Sequence, residues 1–232
     1  MLAKKSQSAA RQTPFEKMHL MKTTKIFIPL LVVFSMTAFF ASSGIAQSPV
    51  AVKIKKLSII EQISPRYGVE LVTDKRIPRQ KKWLEFEVEF EADKKLAAGD
   101  TSPFIDGLLF KYFVVFKGID PVTKKNVMAT GQLNHINIEP REVTHSSMYV
   151  SPSSTTRIRG RSAEASRTEV QGFAVQVFYQ GQLIAEDADY SKGTGWWKTG
   201  VLPPKQGILM PKSKTPFAPL WYDYFAEVEP SR

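Results

Sequence analysis

A chain of 232 residues with 43% hydrophobic and 11% aromatic side chains has room for one medium domain and a proper core, which excludes a wholly disordered protein. It contains no cysteine. Disulfide staples, thiol catalysis, thiolate metal sites and the lipobox cysteine of a bacterial lipoprotein are therefore excluded, although the formal net charge of +10 still leaves an acidic partner to consider.

The first predicted element is an export signal. From Met21, Lys22 and Lys25 precede an apolar run, Ile26 to Phe40, and the small residues Gly44 and Ala46 stand just before Gln47. Pro29, Ser35 and Thr37 interrupt the run, which falls short of the roughly 20 apolar residues of a bilayer crossing, so cleavage after Ala46 is expected and residues 1–46 are a basic extension plus signal. This leader takes six basic residues and one acidic residue with it, leaving about +5 on the mature chain. An exported chain with so modest an excess is not expected to bind nucleic acid, and it would meet a membrane only through the signal before cleavage.

Residues 47–232 read as one all-β domain. In "VAVKIKKLSII", Val50, Val52 and Ile54 alternate with lysines and the phase slips at Lys56, which predicts a β-bulge. "WLEFEVEFEA", Trp83 to Ala92, puts Leu84, Phe86, Val88 and Phe90 on one face and four glutamates on the other, expected to be solvated and to neighbour Lys53 and Lys55. "GLLFKYFVVFKG", Gly107 to Gly118, is apolar on both faces and calls for cover on both sides. A weaker strand, "NVMATGQLNHINIE", with a bulge or bend expected at Gly131, and a short one, "EVTHSSMYV", follow. Ser151 as N-cap, Pro152 in the first turn and Gly160 as stop predict a short helix over "PSSTTRIR". Gln180-Gly181 marks a hairpin in "EVQGFAVQVFYQGQLIAED" that would put Ile184 opposite Val177. Ser191 to Lys214 reads as a long ordered loop with one short strand at Ile208 to Met210, and "LWYDYFAEV" as one or two helical turns. About seven strands and one or two short helices predict an immunoglobulin-like β-sandwich, with an eight-stranded barrel as competitor.

No catalytic, cofactor or metal set emerges. His135 and His145 are not in a metal-spaced pair, Asp187-x-Asp189 lacks the rest of a calcium loop, and no G-x-S-x-G occurs. Two groups are candidate ligand or partner contacts. Arg157, Arg159 and Arg161 lie at the short helix, where guanidinium forks would suit phosphate or carboxylate. Trp196 and Trp197 in "GTGWWKTG" would suit a glycan or a partner if exposed. The tail "TPFAPLWYDYF", Thr215 to Phe225, is expected to pack Phe217, Leu220, Trp221 and Phe225 on the second face of the Gly107–Gly118 strand, with Tyr222 and Asp223 in water.

The leader, the cysteine-free all-β domain, the two-faced aromatic strand and this tail together resemble exported immunoglobulin-like proteins of Verrucomicrobia, of the Akkermansia type. That resemblance implies a non-enzymatic structural or interaction protein without cofactor, in the periplasm or on the outer surface of a diderm bacterium, associated with a type IV pilus-like gene set. Its implied partners are envelope or pilus-assembly proteins or further copies of itself. No G-F-x-x-x-E motif follows the expected cut and the apolar run precedes it, so an accessory role fits better than a filament subunit. A carbohydrate-binding module built on Trp196 and Trp197 is the alternative.

Overall fold

The computed structural model describes residues 48–66, 79–95, 102–119, 124–159, 165–189 and 195–230. The expected signal and cleavage site, and Arg161, lie outside them. Among the described residues nine strands and one α-helix follow in chain order: β1 (Val50–Ile63), β2 (Lys82–Lys94), β3 (Leu108–Ile119), β4 (Asn126–His135), β5 (Val143–Val150), α1 (Pro152–Arg159), β6 (Val170–Tyr179), β7 (Gln182–Ala188), β8 (Pro204–Lys205) and β9 (Leu209–Pro211). They form two sheets, ordered β1-β2-β5-β9 and β7-β6-β3-β4-β8, so the fold is the all-β sandwich. All seven long strands are those that hydrophobic alternation marks. β8 and β9 span only two and three residues, too short for a periodic signal.

Local sequence rules explain the joints. The β1–β2 register shifts between Ile54 and Lys56, as the phase slip requires, and leaves Lys55 as the extra residue. Lys53 pairs with Glu91, and Lys55 Nζ lies 2.5 Å from Glu91 Oε2, so the lysines face the glutamate row. Ser151 caps α1, its Oγ accepting from Ser154 N at 3.1 Å. Gln180 and Gly181 turn the β6–β7 hairpin with positive φ at both positions, the conformation a two-residue hairpin needs. The hairpin carries a bulge next to Val177, which moves Ala185 rather than Ile184 opposite it. At Gly131 there is no bulge: it pairs in register with Tyr112. A Cβ there would lie 2.6 Å from the Met148 side chain, so Gly131 serves close approach of the two sheets.

The core is built by the inward faces of β2, β3 and β6. Phe86 meets Phe173 edge-on at 5.3 Å and Phe116 at 6.3 Å, and Phe90 lies 4.7 Å from Phe110, in the edge and tilted geometries that suit aromatic quadrupoles. A polar chain crosses this apolar layer. Tyr112 Oη lies 2.6 Å from Ser146 Oγ, which lies 2.6 Å from His135 Nε2, while His135 Nδ1 lies 3.1 Å from the Glu227 carbonyl. With Nδ1–H donating to that carbonyl, Ser146 donating to Nε2 and Tyr112 donating to Ser146, no member is left unpaired. Burial holds the His135 pKa down at about 4 and pushes that of Tyr112 up.

Candidate interaction surface and cleft

The outer face of β2 and β5 supports the site. Side chains two apart on a strand share a face, so Trp83, Glu85, Glu87 and Glu89 stand beside Tyr149, Ser147 and His145 through the β2–β5 register. Left bare, this face would expose large aromatics and a run of like charges. The C-terminal tail lies on it. Phe217, 1% exposed, stacks on Tyr149 at 5.3 Å and meets Trp83 edge-on at 5.9 Å. Tyr224 stacks on His145 with ring centroids 3.8 Å apart, and Ala226 N donates to the His145 carbonyl at 2.8 Å.

Two expectations are corrected here. The tail covers β2 and β5, not the second face of β3. The glutamate row is accordingly not a wholly solvated face: Glu85 is buried and accepts from Tyr149 Oη at 2.6 Å and Gln62 Nε2 at 2.9 Å. Such pairing offsets much of the desolvation of a buried carboxylate. Glu87 is half-buried, and burial followed by the neighbouring Glu85 charge raises its pKa. The Tyr224 hydroxyl, 3.4 Å from Glu87 Oε1, is pushed up to about 12, first by burial and then by the Glu87 charge. The alternation of residues 83–92 correctly separates two faces, but a sequence pattern cannot show that a segment more than a hundred residues away folds over one of them.

Of the tail residues expected to pack, Phe217 is buried, Leu220 and Phe225 are partly buried, and Trp221 is turned out, 51% exposed. Trp221 takes a left-handed backbone, φ +52°, at the start of the 3-10 turn Tyr222–Tyr224, which points its ring away from the sheet. A non-glycine residue in that region is strained, and strain of this kind concentrates at functional positions. Tyr222 is 71% exposed, Tyr224 is 45% exposed at its rim, and Asp223 faces water. An aromatic group thus protrudes from the tail.

The Val115 end of the second face of β3 is covered by a different segment. Val115 pairs with Gly172 of β6 and Met128 of β4, and an added Cβ at Gly172 would lie 3.0 Å from the Trp196 ring. Trp196 meets Trp197 edge-on at 5.5 Å, and Lys198 binds Glu186 of β7 at 2.5 Å, fixing the 3-10 turn Trp196–Lys198 across β6 and β7. Both tryptophans are partly buried, and their indole N–H groups are closed to solvent. The glycine-flanked tryptophans are therefore a cover for the sheet rather than an open stacking platform. Gly172 is the residue that admits them.

The other candidates do not converge. Arg157 is exposed on α1 and Arg159 ends that helix. His135 lies between the sheets, His145 lies on the outer face under the tail, and Asp187 and Asp189 stand at the end of β7. Among the described residues no group of three acids or histidines is placed to hold a metal ion.

Between the tail and the sandwich runs a cleft of about 320 Å³, whose wall includes His145 and Ser147 of β5, Lys212, Tyr222 and Phe225. Lys212 donates to the Ala218 carbonyl at 3.2 Å, and its ammonium stands 5.1 Å from the centre of the Phe225 ring. Partial burial lowers its pKa. Sequence reasoning did not find this cleft, because its walls come from four separate stretches of chain.

No curated protein matches the sequence. Among solved structures the chain is similar to a crystal structure from Akkermansia muciniphila, with 29% identity and a TM-score of 0.66 over 79% of this chain and 95% of that one. A family model matches residues 44–232, a span that contains every strand, the tryptophan turn and the tail. The chain therefore belongs to the Akkermansia-type family of β-sandwich proteins.

Proposed function

We propose that the protein is an exported, non-enzymatic interaction protein, an accessory component of a type IV pilus-like or envelope assembly in the periplasm or on the outer surface of a diderm bacterium. The observation that carries this reading is the aromatic group of the tail: Trp221 and Tyr222 project from a segment anchored by the fully buried Phe217. Exposed aromatics on a rigid, pre-positioned support are what protein interfaces use as anchors, because little conformational freedom is lost on docking. Membership of the Akkermansia-type family supports the exported setting. Cross-linking in the native envelope tests the proposal. Pilus-assembly or outer-membrane proteins should be recovered with this chain, and a freely diffusing monomer without partners would overturn it.

A further inference from the structure

The cleft under the tail has a chemical character of its own. Among the described residues, four buried side-chain polar atoms have no hydrogen-bond partner: His145 Nδ1, Ser147 Oγ and the indole nitrogens of Trp196 and Trp197. The first two belong to residues of this one cleft wall. They are neighbours on the same face of β5, separated by roughly 7 Å along the strand. Native proteins rarely leave such atoms unpaired, since each forfeits a bond it would make to water.

The hydrogen-bonding capacity of the wall can be specified. With no partner on Nδ1, the neutral His145 ring offers there a lone pair in one tautomer and an N–H in the other. Ser147 can both donate and accept, and reorienting its hydroxyl takes only a rotamer change. Lys212 has one proton on the Ala218 carbonyl and two further donors. Tyr222 and Phe225 add aromatic surface. Two groups that donate or accept and one donor, beside aromatic rings, match a group that carries both hydroxyls and an apolar face.

Charge decides between ligand classes. The cleft wall carries one acidic and one basic side chain, Glu227 and Lys212. An anion entering the cleft meets the Glu227 carboxylate. A cation meets the Lys212 ammonium. A neutral ligand meets neither penalty.

We propose that this cleft binds a neutral, hydroxyl-rich ring, a sugar residue of a glycan, with Ser147 and His145 as its buried hydrogen-bond partners and Tyr222 as the stacking surface. The site is distinct from the exposed Trp221, which does not line it, and from the tryptophan turn on the opposite sheet. Saturation-transfer NMR of the full chain with D-glucose, D-galactose and N-acetyl-D-glucosamine, and with acetate as the anion, tests it. Transfer to at least one sugar and none to acetate is expected. Ser147→Ala should weaken sugar binding roughly five- to tenfold, the loss of one hydrogen bond, in a chain that still unfolds cooperatively. Ser147→Val should abolish binding by filling the wall, and Trp221→Ala should leave it intact. Absence of transfer to all three sugars, equal transfer to acetate, or sugar binding that survives Ser147→Ala at full strength would each overturn the proposal. Neither result bears on partner cross-linking, so the two readings fail separately.

Discussion

His135 shows how a single residue ties the fold to its conditions. Its ring is buried and fully bonded only when neutral, and burial holds its pKa at about 4 against an ordinary value of 6.5. The unfolded chain therefore binds more protons than the folded one between those values. Stability is fully present above about pH 6.5 and falls as pH drops toward 4, by about 3 kcal/mol for this group alone. His145, whose pKa burial also lowers, acts in the same direction, whereas Glu87, raised by burial, opposes it. Urea unfolding of wild type and His135→Gln across pH 4 to 7 isolates the effect: the variant's pH dependence should be flatter. Phe217 is the second residue on which much rests, because it touches both Trp83 and Tyr149. Phe217→Ala should cost about 3–5 kcal/mol, read from the denaturation midpoint. The sequence marks Phe217 as a packing residue of an aromatic tail, but assigns Trp221 to the same class. Spacing does not reveal the left-handed turn that swings Trp221 outward.

At the scale of elements, two segments lie on the outer faces of the sandwich, and the sequence reading placed the tail on the wrong one and took the tryptophan turn for a contact site rather than a cover. It correctly found in Gly107–Gly118 a strand needing protection on both sides, and in the tail a segment able to give it. The segment that lies on that sheet is instead the tryptophan turn, and the tail shields β2 and β5. Alternation reports how apolar each face is. It carries no information about which distant segment meets that face, since this depends on strand order, and β5 and β9 reach their places only by crossing between sheets. The strands themselves, the bulge at Lys55, the α1 cap and the β6–β7 turn were legible because each is set by chemistry within a few residues. Each cover makes a prediction. Gly172→Val should push Trp196 off the sheet, giving a red-shifted tryptophan emission and a lower melting temperature, whereas Gly181→Val, in the hairpin turn, should not shift the emission. Truncation after Lys214 removes Phe217 and Tyr224 and bares Trp83, Tyr149 and Glu85. It should lower the melting temperature or cause aggregation, and a truncated chain with unchanged melting would show that the tail is not a cover.

At the scale of the whole molecule, a sandwich with a fully bonded polar chain at its centre and covers on both outer faces presents its surface features on fixed supports. The tail combines two of them, an outward aromatic anchor at Trp221 and Tyr222 and an inward cleft at His145 and Ser147. That division suits a protein that works by contact. The central claim is that the tail is the contact surface, and site-specific photo-cross-linking in cells tests it most directly. A photoreactive residue is placed at Trp221 in one strain and at Ile119, exposed at the end of β3, in another. The account predicts a discrete cross-linked envelope protein from position 221 and none from position 119. Equal labelling from both positions, or no adduct at 221, would contradict it.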